Sequence, residues 1–352
     1  MKNIKGRGAN TNTSGRFNQH QVFEDLSELP EEDLEAHNKV RTEFLKDASR
    51  TILNKNNSPD LSFTYSLNPY RGCEHGCAYC YARPTHEYFG LSAGVDFESK
   101  IFVKEKAPEL LREKLMSPGY KPASIFMSGV TDCYQPAEQK FQLTRRCLEV
   151  LLEFRNPVFL ITKNALITRD ADILSQMAKL NLVRVMFSLT SLDAKLVRVL
   201  EPRTSTPQAR LQGIKTLTEA GVRVGVNLAP LIPGLTDHEI PALLKAAAAA
   251  GARSAGYVPV RLPYSVKEIF ADWLQTHFPD RREKVLNSIR SIRGGELNDP
   301  NFGTRMSGQG PIADQMSQVF NLFTKKYGLN QEVHPPMPLE HFRRPGDQLD
   351  LF

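Results

Sequence analysis

The sequence predicts an α/β fold, a partial (βα)6 barrel of the TIM type with a parallel sheet, flanked by an N-terminal arm and a C-terminal helical extension. Three observations point there. Six short runs rich in β-branched and aromatic residues recur between residues 63 and 263, amphipathic helical patterns with clear stops separate them, and each run is apolar along its whole length. Strands covered on both faces read as continuous apolar runs, whereas half-exposed strands alternate. Six units fall short of the eight that close a full barrel, so the sheet is expected to stay open. A chain of 352 residues, 41% hydrophobic, can bury one core of about 220 to 280 residues with segments to spare at both ends.

Residues 1–61 read as a polar, Asn-rich, loosely ordered arm. Basic residues come early (Lys2, Lys5, Arg7, Arg16), an acidic patch follows in ELPEEDLE, and one helix is expected at roughly residues 31–47. The barrel spans residues 62–263. Its runs are FTYSLNPY (63–70), SIFMSGV (124–130), PVFLITK (157–163), LVRVMFSLT (182–190), VRVGVNLAPL (222–231) and SAGYVPVRLP (254–263). Between them, APELLREKL stops at Ser117-Pro118-Gly119 and EQKFQLTRRCLEVLLEF at Asn156-Pro157. TPQARLQGIKTLTEAG carries Pro207 in its first turn and ends at Gly221, and EIPALLKAAAAAG ends at Gly251. Residues 264–330 form the extension, with helices at VKEIFADWLQTHF, REKVLNSIRSIR and PIADQMSQVFNLFTKKYG. A Gly-rich loop precedes the last of these, and residues 331–352 form an extended, Pro-rich tail.

Lys and Arg total 45 against 39 Asp and Glu, a net charge of +6. That balance allows a nucleic-acid partner without demanding one. No apolar stretch of about 18 residues exists, and the first residues lack the apolar core of a secretory signal. The expectation is a cytoplasmic protein with no membrane partner.

Five cysteines in a chain of this length are too few for a disulfide framework, and Cys73, Cys77 and Cys80 lie within eight residues. The segment runs Asn68-Pro-Tyr-Arg-Gly-Cys73-Glu-His-Gly-Cys77-Ala-Tyr-Cys80-Tyr-Ala-Arg83, just after the first run, where parallel strands collect functional loops. Three thiolates in CxxxCxxC spacing leave one iron of a [4Fe-4S] cluster open, which suits a cluster that does chemistry. The alternative is structural zinc, with His75 or His86 completing a Cys3His set.

A CxxxCxYC loop after a first strand, followed by β/α units, resembles the radical S-adenosylmethionine (SAM) superfamily. NPYRGCEHGCAYCYARPTHEY, SGVTDCYQPAE, ITKNALITRD, LEPRTSTPQARL and APLIPGLTDHEIP resemble the group related to spore photoproduct lyase, the photolyase-like radical SAM proteins without an assigned substrate. The resemblance runs from about residue 60 to residue 310. It implies a partial barrel with the [4Fe-4S] cluster and SAM at its open mouth. Reductive cleavage of SAM would yield a 5′-deoxyadenosyl radical that abstracts hydrogen from a substrate. An electron donor such as flavodoxin or ferredoxin is implied with it.

SAM presents an amine, a carboxylate, a ribose and an adenine. By resemblance the second-strand motif Ser128-Gly129-Val130-Thr131-Asp132 meets the amine; ordinary strand-end capping is the alternative for Ser128 and Thr131. Lys163, a lone cation ending the third run, is the candidate for the carboxylate. Ser188 with Thr190, and Asn227, are candidates for the ribose. Tyr79 resembles the residue that adjoins adenine in that superfamily, through its backbone more than its ring, and Leu228 to Gly234 offers a flat apolar surface where an adenine is expected to pack. Glu201 and Arg203 are set for a substrate contact or a mutual ion pair. Cys147 falls in a helical apolar stripe and reads as a buried small hydrophobe. Cys133 is the candidate catalytic thiol, a hydrogen-atom donor at the mouth. Spore photoproduct lyase uses a cysteine three residues before the corresponding aspartate; that position here is Gly129, a departure that counts against thymine-dimer reversal.

The chain ends Gln348-Leu349-Asp350-Leu351-Phe352, which resembles the peptide by which bacterial replication and repair proteins bind the DNA sliding clamp. Aliphatic and aromatic anchors behind Pro345-Gly346 suit docking; packing back onto the domain is the alternative. The basic arm fits phosphate contact. The leading expectation is a radical SAM enzyme acting on nucleic acid in a DNA repair-like reaction. A radical SAM enzyme acting on a peptide or small molecule, and a zinc-stabilised binding module recruited to the clamp, are the alternatives.

Overall fold

The six predicted runs pair in chain order along one sheet. The computed structural model describes residues 4–17, 40–61, 63–332 and 335–346. Its strands are β1 (Glu43–Lys46), β2 (Leu53–Lys55), β3 (Tyr65–Leu67), β4 (Tyr70–Arg71), β5 (Lys100–Val103), β6 (Ile125–Met127), β7 (Val158–Thr162), β8 (Val183–Ser188), β9 (Arg223–Leu231) and β10 (Ser254–Pro259). The large sheet has the order β10-β9-β8-β7-β6-β3-β2, parallel from β10 to β3, with β2 antiparallel at the edge. Parallel pairing sends the loops after β3, β6, β7, β8, β9 and β10 to one edge, and the candidate residues collect there.

Inward positions such as Val158, Leu160, Val183, Val185, Val224 and Val226 are buried in a core shared with Leu148, Leu151, Leu174, Leu217 and Leu244 from the covering helices. The helix Leu143–Glu153 contributes Cys147 to that face, fully buried. Thr206 caps the helix Pro207–Glu219 by accepting the Ala209 N–H at 3.2 Å. Gly221 and Gly251, at φ +80° and +105°, let the chain leave its helices in a conformation that costs other residues about 1 kcal/mol or more.

Four expectations change. Glu43–Lys46, expected inside a helix, is strand β1, paired in parallel with β5 in a second sheet of order β1-β5-β4, where Phe44 meets Phe141 edge-on at 5.0 Å. The rest of that expected helix lies mostly outside the described residues. EQKFQLTRRCLEVLLEF forms two helices, Ala137–Phe141 and Leu143–Glu153, because Gln142 between them takes φ +51°. The described start of the arm is packed against the domain, with Arg7 and Ala9 4% and 1% exposed. The described tail packs back, with Phe342 against Tyr120 at 5.6 Å and the Arg343 N–H donating to Phe154 O at 3.0 Å.

The extension forms a second core. Phe270, Trp273, Leu274, Val285 and Ile289 close on Leu196, Leu200 and Ile232 and on the cysteine loop itself at Cys77, Ala78 and Tyr79. Among the described residues, no helix is long and apolar enough to cross a membrane.

Candidate functional site

Asn68 stitches the cysteine loop to the end of β6, its side-chain oxygen accepting the N–H groups of Val130 and Thr131 at 3.0 and 3.3 Å. Two glycines allow the turn. A Cβ on Gly72 (φ +76°) would sit 2.8 Å from the His86 ring, and one on Gly76 (φ +66°) would sit 2.5 Å from the Glu98 carboxylate. Under the loop lies Arg83, fully buried, donating to Cys77 O at 2.9 Å, Ala93 O at 3.1 Å and Gly94 O at 2.9 Å and pairing with Glu98. Glu98 also accepts the Gly8 and Ala9 N–H groups at 3.1 and 2.9 Å, and Arg7 donates to its carbonyl at 2.5 Å. The early basic arm is thus a floor for the loop, with Arg7 spent inside and Arg16 paired with Glu87.

Cys73 and Cys77 are buried, Cys80 is partly exposed, and all three are free thiols. Burial pushes each thiol up; for Cys73, Asp132 and the neighbouring Cys80 and Cys77 add to it. Three desolvated thiols that oppose one another's ionisation form a donor set completed by a cationic centre. An iron–sulfur cluster fits it, each thiolate taking its own iron. Zinc fits less well. No three His, Cys, Asp or Glu side chains among the described residues lie close enough to share one ion. His75, held uncharged by burial, faces Asp132 at 3.4 Å and Asn164 at 3.3 Å, and His86 is bonded to Lys100 O at 2.9 Å.

Ser128 ends β6 at φ +81°, and its hydroxyl accepts the Cys133 N–H at 2.8 Å. Gly129 O accepts the Tyr81 hydroxyl at 2.7 Å, tying the motif to the residue after Cys80. Thr131 is buried and donates to Tyr70 O at 3.0 Å, a capping use. Asp132 accepts from Tyr134 N (2.9 Å), Thr162 Oγ1 (2.8 Å) and Lys163 N (2.8 Å), so this carboxylate joins the ends of β6 and β7. The Lys163 ammonium donates to Ala229 O at 3.2 Å and stands 5.9 Å from the centre of the Tyr79 ring. Cys133 is fully buried in the main core, its carbonyl accepting the Thr144 hydroxyl at 2.6 Å. Asn227 is partly exposed on β9. Leu228, Leu231 and Ile232 are completely buried, so the apolar surface expected for adenine is mostly core.

Glu201 does not pair with Arg203. Its partner is Arg210, 1% exposed, which also donates to Ser188 O and Ser205 O at 2.9 Å. Thr190 donates to Glu201 at 2.6 Å and the Tyr79 hydroxyl donates to the same oxygen. Burial would raise the Glu201 carboxyl, but the charges of Arg210 and Lys163, with the Thr190 and Tyr79 bonds, outweigh it and hold it at about 2. Arg203 reaches Glu74 at 3.5 Å instead. Sequence reasoning missed Arg210; its only local signal was a cation on the apolar side of the TPQAR helix start.

A protein of Mycobacterium tuberculosis (strain H37Rv), itself uncharacterized, is 36% identical over 234 residues, 66% of this chain and 69% of its own. A radical SAM Nα-GlyT isomerase of Pseudomonas phage M6 is 23% identical over 237 residues, 66% of this chain and 46% of its own. A solved spore photoproduct lyase structure with bound AdoMet and dinucleoside spore photoproduct superposes with a TM-score of 0.58 at 15% identity, covering 81% of this chain and 80% of that one, and so shares the fold. Residues 67–247 match the family model described as the radical SAM superfamily. With that match lying across the cysteine loop and the strand ends it faces, the chain belongs to the radical SAM superfamily and is an enzyme of the radical SAM class.

Proposed function

We propose that this enzyme acts on nucleic acid in a DNA repair-like reaction, with Cys73, Cys77 and Cys80 holding a [4Fe-4S] cluster. The observation that carries the substrate class is the shared fold over 81% of the chain with a lyase whose structure holds AdoMet and a dinucleoside spore photoproduct. The radical SAM isomerase of the phage supports radical chemistry in a relative with the same barrel segment. When bound, the cluster supplies an electron that cleaves SAM.

The chain's own residues bind and orient. Lys163, held between Ala229 O and the Tyr79 ring, takes the SAM carboxylate. Carbonyls around Ser128 and Gly129 receive the amine, while Thr131 and Asp132 stand behind them and fix the strand ends. Asn227, with Ser188 and Thr190, lies toward the ribose, and the backbone at Tyr79 toward adenine. Cys133, the candidate catalytic thiol of the sequence, is fully buried with its N–H bonded to Ser128, and we therefore read it as a structural thiol instead. The barrel of residues 62–263 carries the cofactors, and the extension of residues 264–330 walls the opening. Gln348, Leu349, Leu351 and Phe352, outside the described residues, are read as the clamp-docking anchors, and flavodoxin or ferredoxin as the electron donor.

The test is anaerobic incubation of the iron-loaded enzyme with SAM and deuterated DNA, following label into 5′-deoxyadenosine. Transfer from DNA, but not from deuterated peptide pools, is the expected result. Transfer from peptide alone would overturn the nucleic-acid reading.

A further inference from the structure

The open sheet leaves a gap between its first and last parallel strands, and the gap is laced by side chains. On one side stand Tyr81, next to Cys80, and Asp60, between β2 and β3. On the other stand Arg261, just beyond β10, and the Gly-rich loop with Phe302 and Arg305. The Arg261 guanidinium lies 5.6 Å from the centre of the Tyr81 ring, Arg305 lies 4.3 Å from that of Phe302, and Arg305 pairs with Asp60 at 2.5 Å and donates to Ser58 at 2.9 Å.

Three arginines crowd this opening, and two are spent. Arg293 gives its donors to the carbonyls of Pro259, Val260 and Arg305 at 2.9 to 3.0 Å and, more loosely, to Thr304. Arg305 is neutralised by Asp60. Asp299, the other nearby carboxylate, is occupied by Thr304 and Asn301. Arg261 is left over. Among the described residues its guanidinium donates one hydrogen bond, to the Met306 thioether at 3.5 Å, besides lying over the Tyr81 ring, and its Nε is buried without a partner. Burial and the nearby charge of Arg305 lower its hold on its proton, and Tyr81, Asp60 and Asp299 offset this only in part. A guanidinium kept in such a place without an acceptor is costly unless an anion completes it.

Beside it, Tyr81 and Phe302 are 51% and 58% exposed. Exposed rings interleaved with cations accept stacked bases and the linking phosphate of a single strand. Resting on the nucleic-acid reading above, we propose that Arg261 anchors a phosphodiester of the substrate at this opening, with Tyr81 and Phe302 as the flanking platforms.

The experiment measures binding of the iron-loaded enzyme to a labelled short single-stranded oligodeoxynucleotide, and to the same oligonucleotide with uncharged methylphosphonate linkages. Arg261→Gln is expected to weaken binding about tenfold or more and to make the salt dependence shallower by about 0.7 in log–log slope. Arg261→Lys should recover part of the affinity, the uncharged oligonucleotide should bind the parent no better than the charged one binds Arg261→Gln, and Arg112→Gln, a charge loss at an exposed arginine paired with Glu153, should change nothing. Parent-like binding by Arg261→Gln overturns the anchor and leaves nucleic-acid binding intact. Should Arg261→Gln fail to fold, equal binding of the charged and the uncharged oligonucleotide by the parent overturns it equally. A parent that binds no oligonucleotide overturns both this anchor and the nucleic-acid reading.

Discussion

Glu201 and Arg210 form an ion pair in which both side chains are at most 1% exposed, and the same carboxylate receives Tyr79 from the cysteine loop and Thr190 from beyond β8. The pair therefore fixes the loop after β8 against the loop that carries the thiols. Arg210→Met should strand the carboxylate and cost about 3–5 kcal/mol. Arg203→Gln, which removes partly exposed contacts to Glu74, Gly6 O and Thr42, should cost less than about 1 kcal/mol. Equal losses in urea unfolding would contradict the greater worth of the buried Arg210–Glu201 pair.

Each thiol of the loop is irreplaceable if each holds one iron. Cys73→Ala, Cys77→Ala and Cys80→Ala should retain folded circular dichroism yet lose both cluster loading and SAM cleavage. Cys147→Ala, in the core of a covering helix, should keep iron and sulfide near the parent's content. Full 5′-deoxyadenosine production in any of the first three would remove that residue from the ligand set.

Lys163 donates to Ala229 O through an ammonium whose charge also steadies the Glu201 carboxylate and which stands 5.9 Å from the centre of the Tyr79 ring. Lys163→Ala should weaken SAM binding by about 1.5 to 3 kcal/mol, the worth of one charge-assisted contact, with a smaller change in melting temperature. Calorimetric titration with equal SAM affinity in parent and variant would make it a loop lysine.

Lys104 is 5% exposed, and burial, with Arg71 nearby, lowers its pKa from 10.5 to about 8, against the pull of Asp47 and Cys147. Between those values the unfolded chain holds a proton that the folded chain lacks. Stability contributed at this position therefore rises with pH from about 8 to 10.5, and the cost of the buried ammonium is full below 8. Lys104→Met should raise stability at pH 7 by an amount on the order of a few kcal/mol, and the advantage should vanish toward pH 10.5. Parallel stability curves for parent and variant over that range would contradict the shift.

A peptide of the last ten residues should bind the bacterial sliding clamp in roughly the micromolar range, since two anchors at about 1.5 to 3 kcal/mol each must offset the ordering of a free tail. Replacing Leu351 and Phe352 with Ala should abolish binding while SAM cleavage continues. A peptide silent at high micromolar clamp would end the recruitment reading.

The six parallel strands were legible because each carries an apolar run that stands out locally, although the structure buries one face fully and leaves the other half-buried, as in β7, and β10 is half-buried along most of its length; the cysteines were legible because three ligands of one centre are most simply held by one short loop. β1 and β2 carried no such mark: they are short and largely exposed, and only their pairing with β5 and β3 makes them strands. The Ser128 to Asp132 segment could be found by its place after a strand, but the duties of its residues could not. Which polar group faces a cofactor and which one joins two strand ends depends on the neighbours it meets.

The sequence by itself determined the barrel's order, the thiol triplet and the helices that cover the sheet. Tertiary structure alone decided that Arg7 lies beneath the cysteine loop, that Glu201 belongs to Arg210, and that Arg261 stands beside Tyr81 without a carboxylate bonded to it among the described residues. The reason is physical. Apolar periodicity is a property of neighbouring residues, whereas a buried charge must be matched by whatever group the fold brings within about 3 Å, and that partner can come from any distance along the chain.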